Sequence, residues 1–253
     1  MAPRTRSAPP LIVLPARMAS TRLPGKPMAD IAGEPMIAHV VARALDAHVG
    51  PVVVACCEEE VARAASRAGA RTVMTDPDLP SGSDRVWAAV QSADPDGRHD
   101  LIINLQADLP TLDPVLLRDV LAPMADPAVD IATPVARITD PAEIADPGVV
   151  KAAVGLGPGR RVGRALYFSR LPVPWGEGPH YHHIGLYAYR RAALARFVAQ
   201  PPTVLERRER LEQLRALEAG MRIDAVLVDT VPLGVDTPQD LETARRLLGA
   251  GAS

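Results

Sequence analysis

The sequence predicts an α/β protein, a mostly parallel sheet carrying a mixed-sheet insertion, on three observations. Along residues 11–124, short apolar runs that suit buried strands alternate with segments of helical period. From about 129 to 220 that alternation lapses, and strand-like runs follow one another without a helix between each. From 221 a strand and a closing helix restore it. The layout expected is a disordered tail at 1–10, a core made of 11–128 and 221–253, and an insertion at 129–220.

The apolar run Leu11-Ile12-Val13-Leu14 is expected as the first strand, ended by Pro15. After Pro35, the residues Met36, Ile37, Val40, Val41, Ala44 and Leu45 recur at helical spacing. A second strand covers 51–56. The helix over 58–69 opens on acids and stops at Gly69, matching dipole and C-cap preferences. Strand 71–75, a helix from about 84 to 93, strand 100–105 and helix 114–124 continue the alternation. Strands joined by helices of ordinary length imply right-handed crossovers. Within the insertion, 131–137, 149–154 and 161–168 are expected as strands, the last two joined by a turn at 155–159. Helices follow at 190–200 and 205–220, then strand 221–228. A helix at 237–248 closes the chain, with Thr237 or Asp236 near its N-cap. The insertion also holds all 4 tyrosines and both phenylalanines.

Bulk properties exclude several classes. A net charge of −2 and scarce aromatics argue against a nucleic-acid binder, which needs a basic face or stacking platforms. The 2 cysteines are the adjacent Cys56 and Cys57, with no metal-site spacing, and they suit a reduced, cytoplasmic setting. MAPRTRSAPP carries no apolar stretch behind its charges, so no signal peptide is expected there. No run is long and apolar enough to suggest a membrane span.

Residues 11–35 hold the chemistry. Between the first strand and helix lies a loop with Arg17, Arg22 and Lys26, braced by Pro24 and Pro27. Its glycine spacing fits neither the P-loop nor the dinucleotide fingerprint. A stiff loop holding three cations at the carboxyl edge of a sheet suits a polyphosphate, which needs several donors at once. Solvated surface charge is the plain alternative. Asp108, just past the strand 100–105, sits where a magnesium ligand would belong, although an aspartate there is often only a turn residue.

The run Pro15-Ala16-Arg17-x-x-Ser20-Thr21-Arg22-Leu23-Pro24-Gly25-Lys26-Pro27 resembles the signature loop of the cytidylyltransferases that activate acidic sugars. The resemblance is closest to the 3-deoxy-manno-octulosonate cytidylyltransferase (CMP-Kdo synthetase) family, and further matches span most of the chain. Ser81-Gly82-Ser83-Asp84-Arg85, Gln106-Ala107-Asp108 and Gly234-Val235-Asp236-Thr237-Pro238 are similar to its nucleotide and metal segments. Residues 165–170, 183–189 and 211–215 are similar to segments that meet the sugar.

The resemblance implies a Rossmann-like nucleotidyltransferase sheet, CTP and an acidic eight-carbon sugar as substrates, Mg2+ as cofactor and a homodimer built through the insertion. It assigns nucleotide binding to Arg17, Ser20, Arg22, Lys26, Ser81, Gly82, Ser83 and Arg85. Catalysis falls to Arg17, Lys26, Asp108 and Asp236, the two aspartates holding metal. Sugar contacts are expected from Gln106, Arg170, His183, Tyr187 and Glu212, which supply a cation and mixed donor–acceptor groups. Packing tyrosines and a helix-surface pair of Glu212 with Arg215 or Arg208 are the structural alternatives.

Three consequences follow. Asp108 and Asp236 should lie close together, and so be strained without metal. Ala107 stands where the family has glycine, and would be strained if that backbone needed a positive φ. A relative acting on another acidic sugar, such as a sialic or amino-octulosonic acid, or a catalytically weak nucleotide binder, are the competing functions.

Overall fold

The computed structural model describes residues 8–19 and 23–249. Of the expected tail, 1–7 lie outside the described residues. The backbones of Pro9 and Pro10, by contrast, have partners in the fold. His99 Nδ1 lies 2.6 Å from the Pro9 carbonyl, and a side chain at Gly50 would meet the Pro10 oxygen at 1.9 Å.

The elements run β1 (Leu11–Pro15), β2 (Asp30–Ile31), β3 (Glu34–Pro35), α1 (Met36–Asp46), β4 (Val52–Cys56), α2 (Glu59–Arg67), β5 (Arg71–Met74), α3 (Gly82–Ala93) and β6 (Leu101–Leu105). There follow α4 (Val115–Asp119), β7 (Ile131–Arg137), α5 (Pro141–Ala145), β8 (Lys151–Gly155), β9 (Val162–Ser169), β10 (Tyr181–His183) and β11 (Leu186–Arg190). The last are α6 (Arg191–Val198), α7 (Val204–Glu209), α8 (Gln213–Glu218), β12 (Ile223–Val228) and α9 (Pro238–Gly249). No helix among the described residues is long and apolar enough to cross a membrane.

The chain divides into two units, 1–114 with 232–253, and 115–231. In the first, strands are ordered β6-β1-β4-β5, all parallel. β1 and β4 are covered on both faces, which is why they lack polar alternation: Ile12, Val13, Leu14, Val54 and Cys56 are at most 1% exposed. Met36, Ile37, Val40 and Val41 of α1 are wholly buried. Four such side chains contribute on the order of 6–12 kcal/mol gross, against tenths of a kcal/mol lost to the helix propensity of two valines and an isoleucine. Packing therefore decides this helix. The chain returns at 232, and Val235, Leu241 and Ala244 join Ile31 and Met36 in one buried cluster.

In the second unit β12 pairs parallel with β7 and antiparallel with β9. β8 pairs antiparallel with β9, and β10 with both β7 and β8. β12 was expected in the core; its ladders place it in the sheet of this unit, which therefore runs to 231. Helix 114–124 is instead α4 followed by a 3₁₀ turn over Ala122–Ala125, because Pro123 cannot continue an α-helix. Helix 205–220 is broken by Arg210, which adopts left-handed φ 56 between α7 and α8. α5 was not anticipated, although Asp140 caps it and Pro141 opens it.

The aromatic residues of the insertion form a ladder inside this unit. Ring centroids step 4.9 Å from Phe168 to His183, 5.5 Å to Tyr187, 5.8 Å to Tyr189 and 6.0 Å to Phe197. Phe168, Tyr189 and Phe197 are buried, so the ladder builds core rather than a docking face.

Candidate active site

The loop after β1 is shaped locally. Met18 N–H donates to Glu58 Oε1 at 2.9 Å, and Gly25 N–H donates to the Met18 carbonyl at 3.1 Å. Gly25 takes φ 72, which a side chain would strain, and starts the 3₁₀ turn Lys26–Met28 with Pro27 in its first positions. The Lys26 backbone is thus fixed. Ser20 and Arg22 lie outside the described residues.

Lys26 Nζ donates to Asp108 Oδ2 at 2.7 Å and to Asp236 Oδ1 at 2.9 Å. Burial works against the ammonium, but the two carboxylates outweigh it and hold its pKa above the ordinary lysine value. The two oxygens can be no farther apart than the sum of those lengths, 5.6 Å. The expected closeness of Asp108 and Asp236 is thus observed. The expected strain is not, because Lys26 sits between them and offsets their repulsion.

Each carboxylate is brought there by a different device. Asp108 follows β6. Asp236 precedes α9, where Thr237 Oγ1 accepts from Asp240 N–H and Asp240 Oδ2 accepts from Thr237 N–H, a reciprocal cap with Pro238 at the first helical position. The cap is Thr237, and the Asp236 side chain is left to reach Lys26. The returning segment is stitched down by Val235 N–H to the Asp108 carbonyl at 2.9 Å and Leu233 N–H to Thr111 Oγ1 at 3.1 Å.

Ala107 needs no special backbone. Among the described residues, the non-glycine positions with positive φ are Ala32, His48 and Arg210, so the anticipated strain at Ala107 does not arise. Leu109 is buried beside Gly234 of the returning segment.

A cavity of about 360 Å³ opens here, lined by Arg17, Lys26, Ser81, Gly82, Arg85, Gln106, Asp108 and Asp236 among others. Ser81 caps α3 by accepting from Asp84 N–H, so the helix starts at Gly82 rather than at 84 and its N-terminus faces the cavity. Ser83 is buried in the first turn. Arg85 is 2% exposed, and its guanidinium donates to Thr75 Oγ1 and the Pro77 carbonyl, clamping the loop between β5 and α3. Gln106 donates to Asn104 Oδ1 at 3.0 Å. No group of three or more His, Cys, Asp or Glu side chains that could hold a metal occurs among the described residues, and Asp108 and Asp236 are the carboxylates that line the cavity. Two carboxylates converging on one cation fit magnesium, which takes one or two carboxylates and fills its octahedron with phosphates and water.

Arg170, His183, Tyr187 and Glu212 belong to the second unit. His183 and Tyr187 come together; Arg170 is engaged elsewhere, donating to the carbonyls of Glu209 at 2.9 Å and Pro147 at 2.9 Å. Burial, with His182 adding to it, lowers the His183 pKa to about 3. Burial also pushes Tyr187 well above the ordinary tyrosine value, helped by Tyr189 and Glu212. Arg215 makes its short bidentate pair with Glu206, at 2.6 and 2.8 Å, and reaches Glu212 only at 3.8 Å.

Sequence reasoning missed several supports. Glu58 anchors the cationic loop. Glu209 accepts from Tyr167, Ser169 and the Arg170 N–H. Lys151, wholly buried, donates to three carbonyls, of Asp146, Val149 and Arg170, at 2.6–2.7 Å. The position of Glu58 just beyond a strand was a signal available for it. Long-range partners left none for the other two. Burial raises the Cys56 thiol to about 11, away from the reactive thiolate, and both cysteines are free.

A parallel sheet whose carboxyl edge presents a braced cationic loop, a capped helix N-terminus and two aspartates bridged by a lysine is the arrangement of a nucleotidyltransferase. Comparison with known proteins narrows the class. The cytidylyltransferase family profile matches residues 11–223. A 3-deoxy-manno-octulosonate cytidylyltransferase of Paramagnetospirillum magneticum is 67% identical over 241 residues, covering 95% of this chain and 98% of that protein. One of Rhodospirillum rubrum is 62% identical over 248 residues, covering 98% of each. The solved structure of CMP:2-keto-3-deoxy-manno-octonic acid synthetase complexed with CTP superposes with TM-score 0.88 at 40% identity, over 96% of this chain and 100% of that one. A 4-diphosphocytidyl-2C-methyl-D-erythritol synthase, at TM-score 0.65 and 15% identity over 96% of this chain and all of its own, shares the fold. The chain belongs to the 3-deoxy-manno-octulosonate cytidylyltransferase family.

Proposed function

We propose that the chain transfers CMP from CTP to the anomeric hydroxyl of 3-deoxy-manno-octulosonate, an acidic eight-carbon sugar, in the cytoplasm, to activate it as a lipopolysaccharide precursor. The observation that carries this reading is the convergence of Lys26, Asp108 and Asp236 in one cavity with Arg17 and the α3 N-terminus. The family's substrates fit it: a triphosphate needs several fixed donors, and the cavity supplies them.

The hydroxyl oxygen forms a bond to the α-phosphorus while the bond to the β-phosphate oxygen breaks. Pyrophosphate leaves, and the hydroxyl proton passes to solvent. Arg17 and Lys26 stabilise the charge that grows on the leaving group, and Ser81 and Gly82 present backbone donors at the helix start. Asp108 and Asp236 would hold Mg2+, which supplies charge neutralisation on the phosphates and lowers the hydroxyl pKa. Arg170, His183, Tyr187 and Glu212, with Gln106, are assigned to the sugar. Buried neutral, His183 offers hydrogen bonds rather than charge to a ligand. Arg170 would have to give up carbonyl contacts to reach one, so its role includes holding Glu209 and the 146–150 turn.

A homodimer through the insertion completes the reading. Leu166, Leu171, Trp175 and Val204 of the second unit are 62, 69, 100 and 68% exposed, an apolar load that a partner copy would cover.

The deciding experiment is pyrophosphate release with CTP and Mg2+ against a panel of acidic sugars. Turnover with 3-deoxy-manno-octulosonate at least tenfold above a sialic acid is expected. Equal or reversed preference would reassign the sugar, and no turnover with any would leave a nucleotide binder.

A further inference from the structure

We propose that the Lys26 ammonium is the stand-in cation of the nucleotide-free site. It holds the place between Asp108 and Asp236 before the metal does, and leaves it only when a triphosphate offers another partner. The inference rests on the reading that these two carboxylates take a divalent cation.

Geometry and charge carry it. Nζ makes both contacts at once, at 2.7 and 2.9 Å, and the Lys26 side chain is 16% exposed. A dication entering between the carboxylates would meet an ammonium already there, and like charges at such range repel strongly in a partly buried site. The backbone of Lys26 does not move freely. Lys26 N–H is bonded to the Leu23 carbonyl at 3.2 Å, Met28 N–H to Gly25 at 2.9 Å and Ala29 N–H to the Lys26 carbonyl at 3.1 Å. Only the four-carbon stem can swing. Of the described residues lining the cavity, Asp108 and Asp236 are the only carboxylates, so a displaced ammonium has no other anion there to join. A triphosphate changes that. It brings anionic oxygens into the same cavity, where Arg17 also points, and lets Lys26 exchange carboxylates for phosphates while the dication takes its former place.

Two consequences follow. Metal and nucleotide should bind synergistically, because each removes the obstacle to the other. Metal alone should bind the parent protein weakly although its ligands are already assembled.

The test measures binding of Mn2+, a magnesium surrogate, to nucleotide-free protein by the paramagnetic resonance signal of the free ion. Lys26→Met keeps the stem and removes the charge; Lys26→Gln is the second variant should methionine disturb the loop, and circular dichroism checks both folds. The neutral variants are expected to bind Mn2+ at least tenfold more tightly than the parent, and the gain to disappear when Asp236→Asn is added. Equal affinity in parent and variants, lost in each on adding Asp236→Asn, would overturn the stand-in role while leaving the metal pair intact. No binding by any of them, or binding indifferent to Asp236→Asn, would overturn the metal pair and this inference with it.

Discussion

At the scale of single residues, burial sets protonation. Thr133 has one hydroxyl hydrogen, and it donates to the carbonyl of Leu186 at 2.9 Å. Its oxygen must therefore accept from His183 Nε2, 3.0 Å away, which fixes the neutral ring with its proton on Nε2. With a native pKa of about 3, His183 stays neutral where the unfolded chain, near 6.5, binds a proton. The unfolded state then holds more protons below pH 6.5, so this contribution is complete above that value and is lost as pH falls toward 3. Stability should drop by about 1 kcal/mol between pH 6.5 and 5.5 from this group alone. Urea unfolding at the two values measures it. His183→Gln should flatten that part of the profile; an unchanged slope would mean the ring is protonated in the native state.

At the scale of elements, α9 connects a helix start to the active site. Its cap pairs Thr237 with Asp240, and Asp240 also accepts from Asp236 N–H at 3.1 Å, so the turn that caps the helix aims Asp236 at Lys26. Thr237→Ala should lower unfolding free energy by about 1 kcal/mol, the usual cost of losing a threonine cap. Because the carboxylate position depends on the same turn, turnover should fall several-fold as well, with substrate affinities little changed. A loss of stability with full turnover would uncouple cap and site. Helical period matches the observed helix in α1. It does not at 205–220, where Arg210 takes a left-handed conformation inside one apolar pattern. Local spacing carries no record of such a break.

At the scale of the whole molecule, the chain leaves its first unit at 114 and re-enters at 232. The second unit exposes Trp175 completely, with Leu166, Leu171 and Val204 each more than half exposed. If these form the partner interface, Leu171→Asp with Trp175→Asp should convert a dimer to a monomer in sedimentation velocity, with the fold retained by circular dichroism. A dimer that survives both changes would put the interface elsewhere.

By itself the sequence determined the strand–helix alternation, the cationic loop, the two aspartates and the family. These are local signals: apolar period, proline and glycine placement, and short motifs. It also placed Asp108 and Asp236 near one another although they are 128 positions apart, but only through the resemblance. What the tertiary structure decided is what stands between them. Lys26 bridges both carboxylates, β12 joins the sheet of the second unit, and aromatic residues of the insertion are stacked as core. Each depends on partners far apart in sequence whose meeting is set by packing. The ammonium of Lys26 could have been aimed at solvent or at phosphate on the same motif; burial beside two carboxylates, and the charge balance it demands, fixed its place.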